Sequence, residues 1–104
     1  MFYTSTRDKS VRVSSAQAIT HGISADGGLF VPETIPHIDA DTLSALAGMD
    51  YKERAKSILS LYLTDFTAEE IADCVEGAYA VGKFSSPAVP PLVPLQDGSY
   101  VLEL

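Results

Sequence analysis

Apolar and polar residues change their rhythm several times along this chain, and each change marks an element. Phe2 to Thr6 is short, aromatic and β-branched, which is strand composition. Asp8-Lys9-Ser10 is a polar turn, and Val11-Arg12-Val13 reads as a second strand placed to pair with the first as a small hairpin. Ser14 then opens a helix. Ser14-x-x-Gln17 is a capping box, in which each residue satisfies the other's backbone N–H, and Val13 with Ala18 is positioned as the hydrophobic staple. The helix is expected to run through Ile19 to about His21, where Gly22 stops it. His21 thus sits in the last turn, against the negative end of the dipole. Ala25-Asp26-Gly27-Gly28 is a turn that requires positive φ, Leu29-Phe30-Val31 is extended, and Pro32 ends it. Ile35-Pro36-His37 is a linker, because a residue before proline is pushed out of the α region.

Three helices are expected next. Asp39 or Asp41 caps the first, whose apolar positions are Leu43, Leu46 and Ala47, with Gly48 closing it. Asp50 and Glu53 open the second, and Ala55, Ile58, Leu59 and Tyr62 form its buried stripe. Thr67-x-x-Glu70 opens the third with a capping box, and Phe66 faces Ile71 as the staple. Its stripe is Ile71, Val75, Ala78 and Tyr79, and Gly82 closes it.

Ser85 to Pro91 is a proline-rich connector. Leu92–Leu95 and Tyr100–Leu104 then read as a hairpin around Asp97-Gly98, a pair that favours a type I′ turn. Tyr100, Leu102 and Leu104 share one face, and Val101 lies on the other. The last strand ends on apolar residues without a polar tail, so this end reads as a cut one. The fold class is therefore α+β: a small domain with short amino-terminal strands, about four helices and a carboxy-terminal β-hairpin.

Composition narrows the function classes. The 104 residues support one small domain, and 46% hydrophobic with 20% charged residues is globular composition. Fourteen acidic residues against seven basic give a net charge of −7, with no Lys/Arg cluster to follow a phosphate backbone. No nucleic-acid partner is expected. No apolar run reaches the roughly 20 residues of a membrane helix, and the start lacks a signal-peptide layout, so no membrane partner is expected. Cys74 is the one cysteine, which fits a reducing, cytoplasmic location.

Candidate chemistry is sparse. Lys52 and Lys56 fall on the polar side of the second helix, Lys9 lies in a turn, and Lys83 has no apolar surroundings to lower its pKa. Asp26-Gly27-Gly28 lacks the spacing of a phosphate loop, and an extended segment follows it, so it reads as a tight turn. Arg7 is a phosphate-reaching cation or, the commoner role, a solvated or ion-paired side chain. His21 and His37 have no metal-ligand spacing partner. Cys74 lies between Ile71 and Ala78 and reads as a core thiol on the buried side of its helix. Asp65, Glu69, Glu70, Asp73 and Glu76 line that helix's start and outer face as solvated charges. No catalytic, cofactor-binding or metal-ligating residue is assigned.

Two motifs nevertheless carry a resemblance. Tyr3-Thr4-Ser5-Thr6-Arg7, followed by Gly22-Ile23-Ser24-Ala25-Asp26-Gly27-Gly28-Leu29-Phe30-Val31-Pro32-Glu33, resembles the opening of threonine synthase, a fold-type II family. Ser14 to Ile19 is similar to the family's S-F-x-x-A-[IV] segment, with Ser15 in place of the aromatic, a departure expected to loosen local packing. Leu102-Glu103-Leu104 resembles the family's L-E-L, which runs into the segment bearing the Schiff-base lysine. The resemblance implies an amino-terminal domain, residues 1–104, of a pyridoxal-phosphate lyase in threonine biosynthesis. That enzyme converts O-phospho-L-homoserine and water to L-threonine and phosphate, and its catalytic domains would follow Leu104. It implies pyridoxal phosphate in the complete enzyme and none on this fragment, which would be inactive alone. Its partner would be the catalytic domains of the same chain, with a weak dimer through the exposed last strand as a further possibility. The alternatives are a free-standing interaction module and a paralogue acting on a related phosphorylated hydroxy-amino acid.

Overall fold

Strand β1 (Tyr3–Ser5) is the middle one of three extended segments at the amino terminus. One edge pairs antiparallel with β2 (Phe30–Pro32), in the register Tyr3–Pro32, Thr4–Val31 and Ser5–Phe30. The other edge meets only Val13, which exchanges two backbone hydrogen bonds with Tyr3 at 2.8 and 3.0 Å. The expected hairpin between residues 2–6 and 11–13 is thus reduced to a single bridge. The full pairing goes to a strand some 27 residues away, because the 24–28 turn is anchored to β1, as described below. This computed structural model describes residues 1–84 and 90–103. Most of the expected connector at Ser85–Pro91, and Leu104, lie outside them.

Four helices follow the sequence signals closely at their starts. Helix α1 (Ser15–His21) begins at the Ser14–Gln17 capping box and stops at Gly22, φ +72°. Helix α2 (Ala40–Gly48) is capped by Asp39, which accepts from the Thr42 N–H, so Asp39 and not Asp41 is the cap. Helix α3 (Tyr51–Tyr62) starts at the reciprocal Asp50–Glu53 box, and α4 (Ala68–Ala78) at the Thr67–Glu70 box. Each box satisfies backbone donors that would otherwise be orphaned, which is worth about 1 kcal/mol per cap. Helix α4 ends at Ala78, before Gly82, with Tyr79 as its cap, and the Tyr79 ring meets the Tyr51 ring edge-on at 4.9 Å. Arg54 on α3 donates to the Leu46 and Met49 carbonyls at 2.9 and 2.8 Å and so closes the end of α2 with a cation.

Strands β3 (Leu92–Pro94) and β4 (Tyr100–Leu102) form the expected hairpin. Its turn is not type I′. That type needs positive φ at both central residues, and only Gly98 has it, at +83°. The Gly98 N–H donates to the Leu95 carbonyl, and the Leu95 N–H to the Ser99 carbonyl. The loop is therefore a type I turn followed by a left-handed glycine.

The core is thin. Among the described residues, Ala18, Leu46, Ile71 and Val75 are the buried apolar side chains. Helix α3 packs on α4 but has no fully buried residue, so its stripe of Ala55, Ile58, Leu59 and Tyr62 is only half covered. Cys74 and Ala78, expected on the buried face of α4, are exposed. Ile71 and Val75 are the two residues of α4 that are fully buried, and the positions beside them, Cys74 and Ala78, are left open. The surface area of 7461 Å² is roughly 1,800 Å² more than a folded monomer of this mass exposes. The radius of gyration, 16.4 Å, likewise exceeds the roughly 13 Å of a compact chain this long.

Candidate functional site

The two sequence motifs meet in one lock. The Ser5 hydroxyl lies 2.9 and 2.8 Å from the two carboxylate oxygens of Asp26, and Ser5 is wholly buried. The Gly28 N–H donates to Asp26 Oδ1 at 2.8 Å, and the Arg7 N–H to Ser5 Oγ at 3.1 Å. Arg7 also returns its guanidinium Nη1 to the Asp26 carbonyl at 3.1 Å. These contacts hold the Asp26 carboxyl below its ordinary pKa, the Gly28 amide most and Ser5 next. Gly28 is required by space and Gly27 by its backbone conformation. A Cβ on Gly28 would lie 2.1 Å from Ser5 Oγ, and one on Gly27 would lie 2.9 Å from Arg7 Nη1, with φ already at +76°.

The lock explains why the motif is no phosphate cradle. The Gly27 N–H is spent on the Ser24 carbonyl, the Gly28 N–H on Asp26, and a carboxylate fills the centre of the turn. Arg7 is exposed, and its guanidinium makes this one bond to the Asp26 carbonyl. Outside the lock, the Arg12 guanidinium pairs with Glu33 at 2.8 Å and lies over the Phe2 ring at 3.6 Å.

A second set of ties was not foreseen from the sequence. The last residue of α3 and two residues of the α3–α4 loop hold the amino terminus. The Tyr62 carbonyl accepts from the Tyr3 hydroxyl at 3.2 Å, and Thr64 Oγ1 accepts from the Met1 ammonium. Asp65 accepts from the Ser15 hydroxyl and from the Ala16 N–H at 3.0 Å. Asp65 was expected to be a solvated charge at the start of α4. It instead caps α1, and the Ala16 amide is the largest cause of its lowered pKa. Ser15, expected to loosen packing, is 1% exposed and tied to this carboxylate. The only signal available was its place beside a second hydroxyl at a helix start.

The lysines are placed as structural or solvent-facing groups. Lys52 and Lys56 both reach Glu76, at 2.7 and 2.6 Å. Glu76 is therefore paired rather than merely solvated, and Lys52 first, then Lys56, lower its pKa to about 2. Lys9 and Lys83 are exposed, as are His21 and His37. His21 Nδ1 donates to the Gln17 carbonyl at 2.7 Å, within its own helix. Among the described residues no group of three His, Cys, Asp or Glu side chains is placed to hold a metal ion, and no helix is long and apolar enough to cross a membrane.

Two open grooves are formed by the described residues. One, of about 290 Å³, lies along α3 and α4 and is lined by Tyr51, Arg54, Ala55, Ile58, Leu59 and Tyr79. The other, of about 250 Å³, lies between α1 and β2 and includes Tyr3, Ser15, Ala18, Ile19, Phe30 and Leu63. Neither is lined by a lysine, and neither has glycine-rich amides free for a phosphate. The residues of these grooves do not fit pyridoxal phosphate.

Comparison with known proteins gives this geometry its context. The family model described as "Threonine synthase N terminus" matches residues 2–79. Threonine synthase from Methylobacillus glycogenes is 35% identical over 111 residues, covering 100% of this chain and 23% of that protein. The PLP-bound threonine synthase of Brucella melitensis superposes with a TM-score of 0.82 at 34% identity, over 99% of this chain and 22% of that one. Threonine synthase from Escherichia coli gives a TM-score of 0.80 at 25% identity, over 99% and 23%. The chain thus spans about a fifth of the length of the curated relatives it matches. With its lock, its four capped helices and this match in hand, the chain belongs to the threonine synthase amino-terminal family.

Proposed function

We propose that residues 1–104 are the amino-terminal domain of a PLP-dependent threonine synthase, a lyase that converts O-phospho-L-homoserine and water to L-threonine and phosphate. The observation that carries this is the superposition of 99% of the chain on the PLP-bound enzyme at 34% identity. The Schiff-base lysine and the cofactor cradle belong to the catalytic part of the complete polypeptide. Paired Lys52 and Lys56, and exposed Lys9 and Lys83, support that division. The domain's own work is to brace the catalytic part. A single cysteine fits a cytoplasmic setting.

The test is to express the complete polypeptide and follow phosphate release and threonine formation from O-phosphohomoserine. Turnover by the complete polypeptide, and none by residues 1–104, is expected. A complete polypeptide that binds pyridoxal phosphate but leaves this substrate untouched would remove the reading. Separated from the catalytic part, the chain self-associates weakly through β4, whose Tyr100 and Leu102 are 63% and 55% exposed. Sedimentation that stays monomeric at every concentration would refute that association.

A further inference from the structure

The groove between α1 and β2 is rimmed by large apolar side chains that stand exposed among the described residues. Ile19 on α1 is 62% exposed, Ile23 60% and Leu29 62%. Ile23 and Leu29 face each other across an isolated antiparallel bridge, and Phe30 next to Leu29 lines the groove itself. None of the groove's lining residues is charged. We infer that this α1–β2 face is the seat on which the catalytic part of the same polypeptide docks, an inference that rests on the threonine synthase reading.

Three observations converge on that occupant. The excess surface, roughly 1,800 Å², is more than the roughly 800 Å² each partner contributes to a standard interface. The matched relatives are about five times as long as this chain, so in them most of the polypeptide lies outside the matching portion and can cover such a face. The lock also stiffens the rim. The Ser24 N–H donates to the Gly28 carbonyl at 3.0 Å and the Gly28 N–H to Asp26, so the turn between Ile23 and Leu29 is held from inside. A rim held in place loses little freedom on docking. The signature motif then has a physical purpose: Asp26, Gly27 and Gly28 build the turn that presents Ile23 and Leu29. The groove along α3 and α4 is a weaker seat. Its lining is half-buried, and Tyr79 stacks on Phe84 at 5.8 Å beside it.

The occupant should offer one or two aliphatic or aromatic side chains to the groove. The experiment places the photo-cross-linker p-benzoylphenylalanine in the complete polypeptide, as Leu29→p-benzoylphenylalanine, with Leu43 and Ile58 substituted likewise for comparison. Adducts from position 29 to peptides beyond residue 104 of the same molecule, and none from position 43, are expected. Adducts between two copies, adducts from position 58 alone, or no adduct at position 29 would overturn the inference. Threonine formation is measured on the same preparations. A polypeptide that makes threonine without the position-29 adduct keeps the enzyme reading and loses the docking face. One that gives the adduct without making threonine does the reverse. As a second readout, Leu29→Asp should speed proteolytic release of residues 1–104 about tenfold, whereas Leu43→Asp should leave it unchanged.

Discussion

Ser5 and Gly28 approach so closely that a single added carbon has no room: a Cβ on Gly28 would lie 2.1 Å from Ser5 Oγ. That hydroxyl cannot swing away, because it lies between the Asp26 carboxylate and the Arg7 amide. Gly28→Ala should therefore destabilise the domain by about 2–3 kcal/mol through overpacking. Ser5→Ala removes the clashing atom, so the double variant should be less destabilised than the two single losses added together. Thermal unfolding of the four proteins checks this. Strict additivity would mean that the two residues are not in contact.

Acid should loosen the amino-terminal unit. Asp26 holds the Gly28 amide and Asp65 the Ala16 amide, and both carboxyls titrate below their ordinary value of 3.8. A depressed folded pKa gives stability that is fully present above the unfolded value and is lost as pH falls through the folded one. The thermal midpoint should hold between neutrality and about pH 5 and decline below about pH 4. Asp65→Asn should flatten that decline, because the amide no longer titrates. Calorimetry across this range is the measurement, and an equal slope in parent and variant would remove Asp65 from the account.

Local signals were legible in the sequence, and distant ones were not. The Ser14–Gln17, Asp50–Glu53 and Thr67–Glu70 boxes each close within three residues, and all three appear with both hydrogen bonds made. The partner of β1 was misjudged because a strand's pattern does not say which edge it offers, and the Ser5–Asp26 contact that decides it spans 21 positions. Asp65 caps a helix 50 positions away, which no local rule can find. Cys74 was placed in the core by helical spacing alone. The width of a buried stripe depends on what covers it, and α4 packs chiefly on α3, with Cys74 left exposed. Within the signature, the family was readable from residue types. The reason for those types, a carboxylate filling a glycine turn, needed the geometry.

Cys74 lends itself to a direct test of its placement. An exposed thiol on a helix surface is open to reagent without unfolding. An aromatic disulfide reagent should modify native Cys74 at a rate within about tenfold of the denatured protein, and Cys74→Ser should shift stability by no more than about 0.5 kcal/mol. Protection of the thiol until global unfolding would return it to the core. The same labelling in the complete polypeptide reports whether this face of α4 stays open there.

The thin core makes Val75 the most exposing position at which to ask whether the domain stands by itself. Val75 is 1% exposed and shares the interior with only Ala18, Leu46 and Ile71 among the described residues. Val75→Ala removes two methyl groups from the α3–α4 contact and should cost about 2 kcal/mol. In a self-sufficient domain that loss leaves a folded protein with a lower midpoint. In one whose apolar rim is left uncovered, it removes much of a small reserve. The 104-residue variant is therefore expected to lose most of its helical circular dichroism at room temperature, while the same substitution in the complete polypeptide leaves the helices intact. If the isolated variant keeps its helices with a cooperative transition, the domain does not depend on its neighbour for stability, and bracing would run only from this domain to the catalytic part.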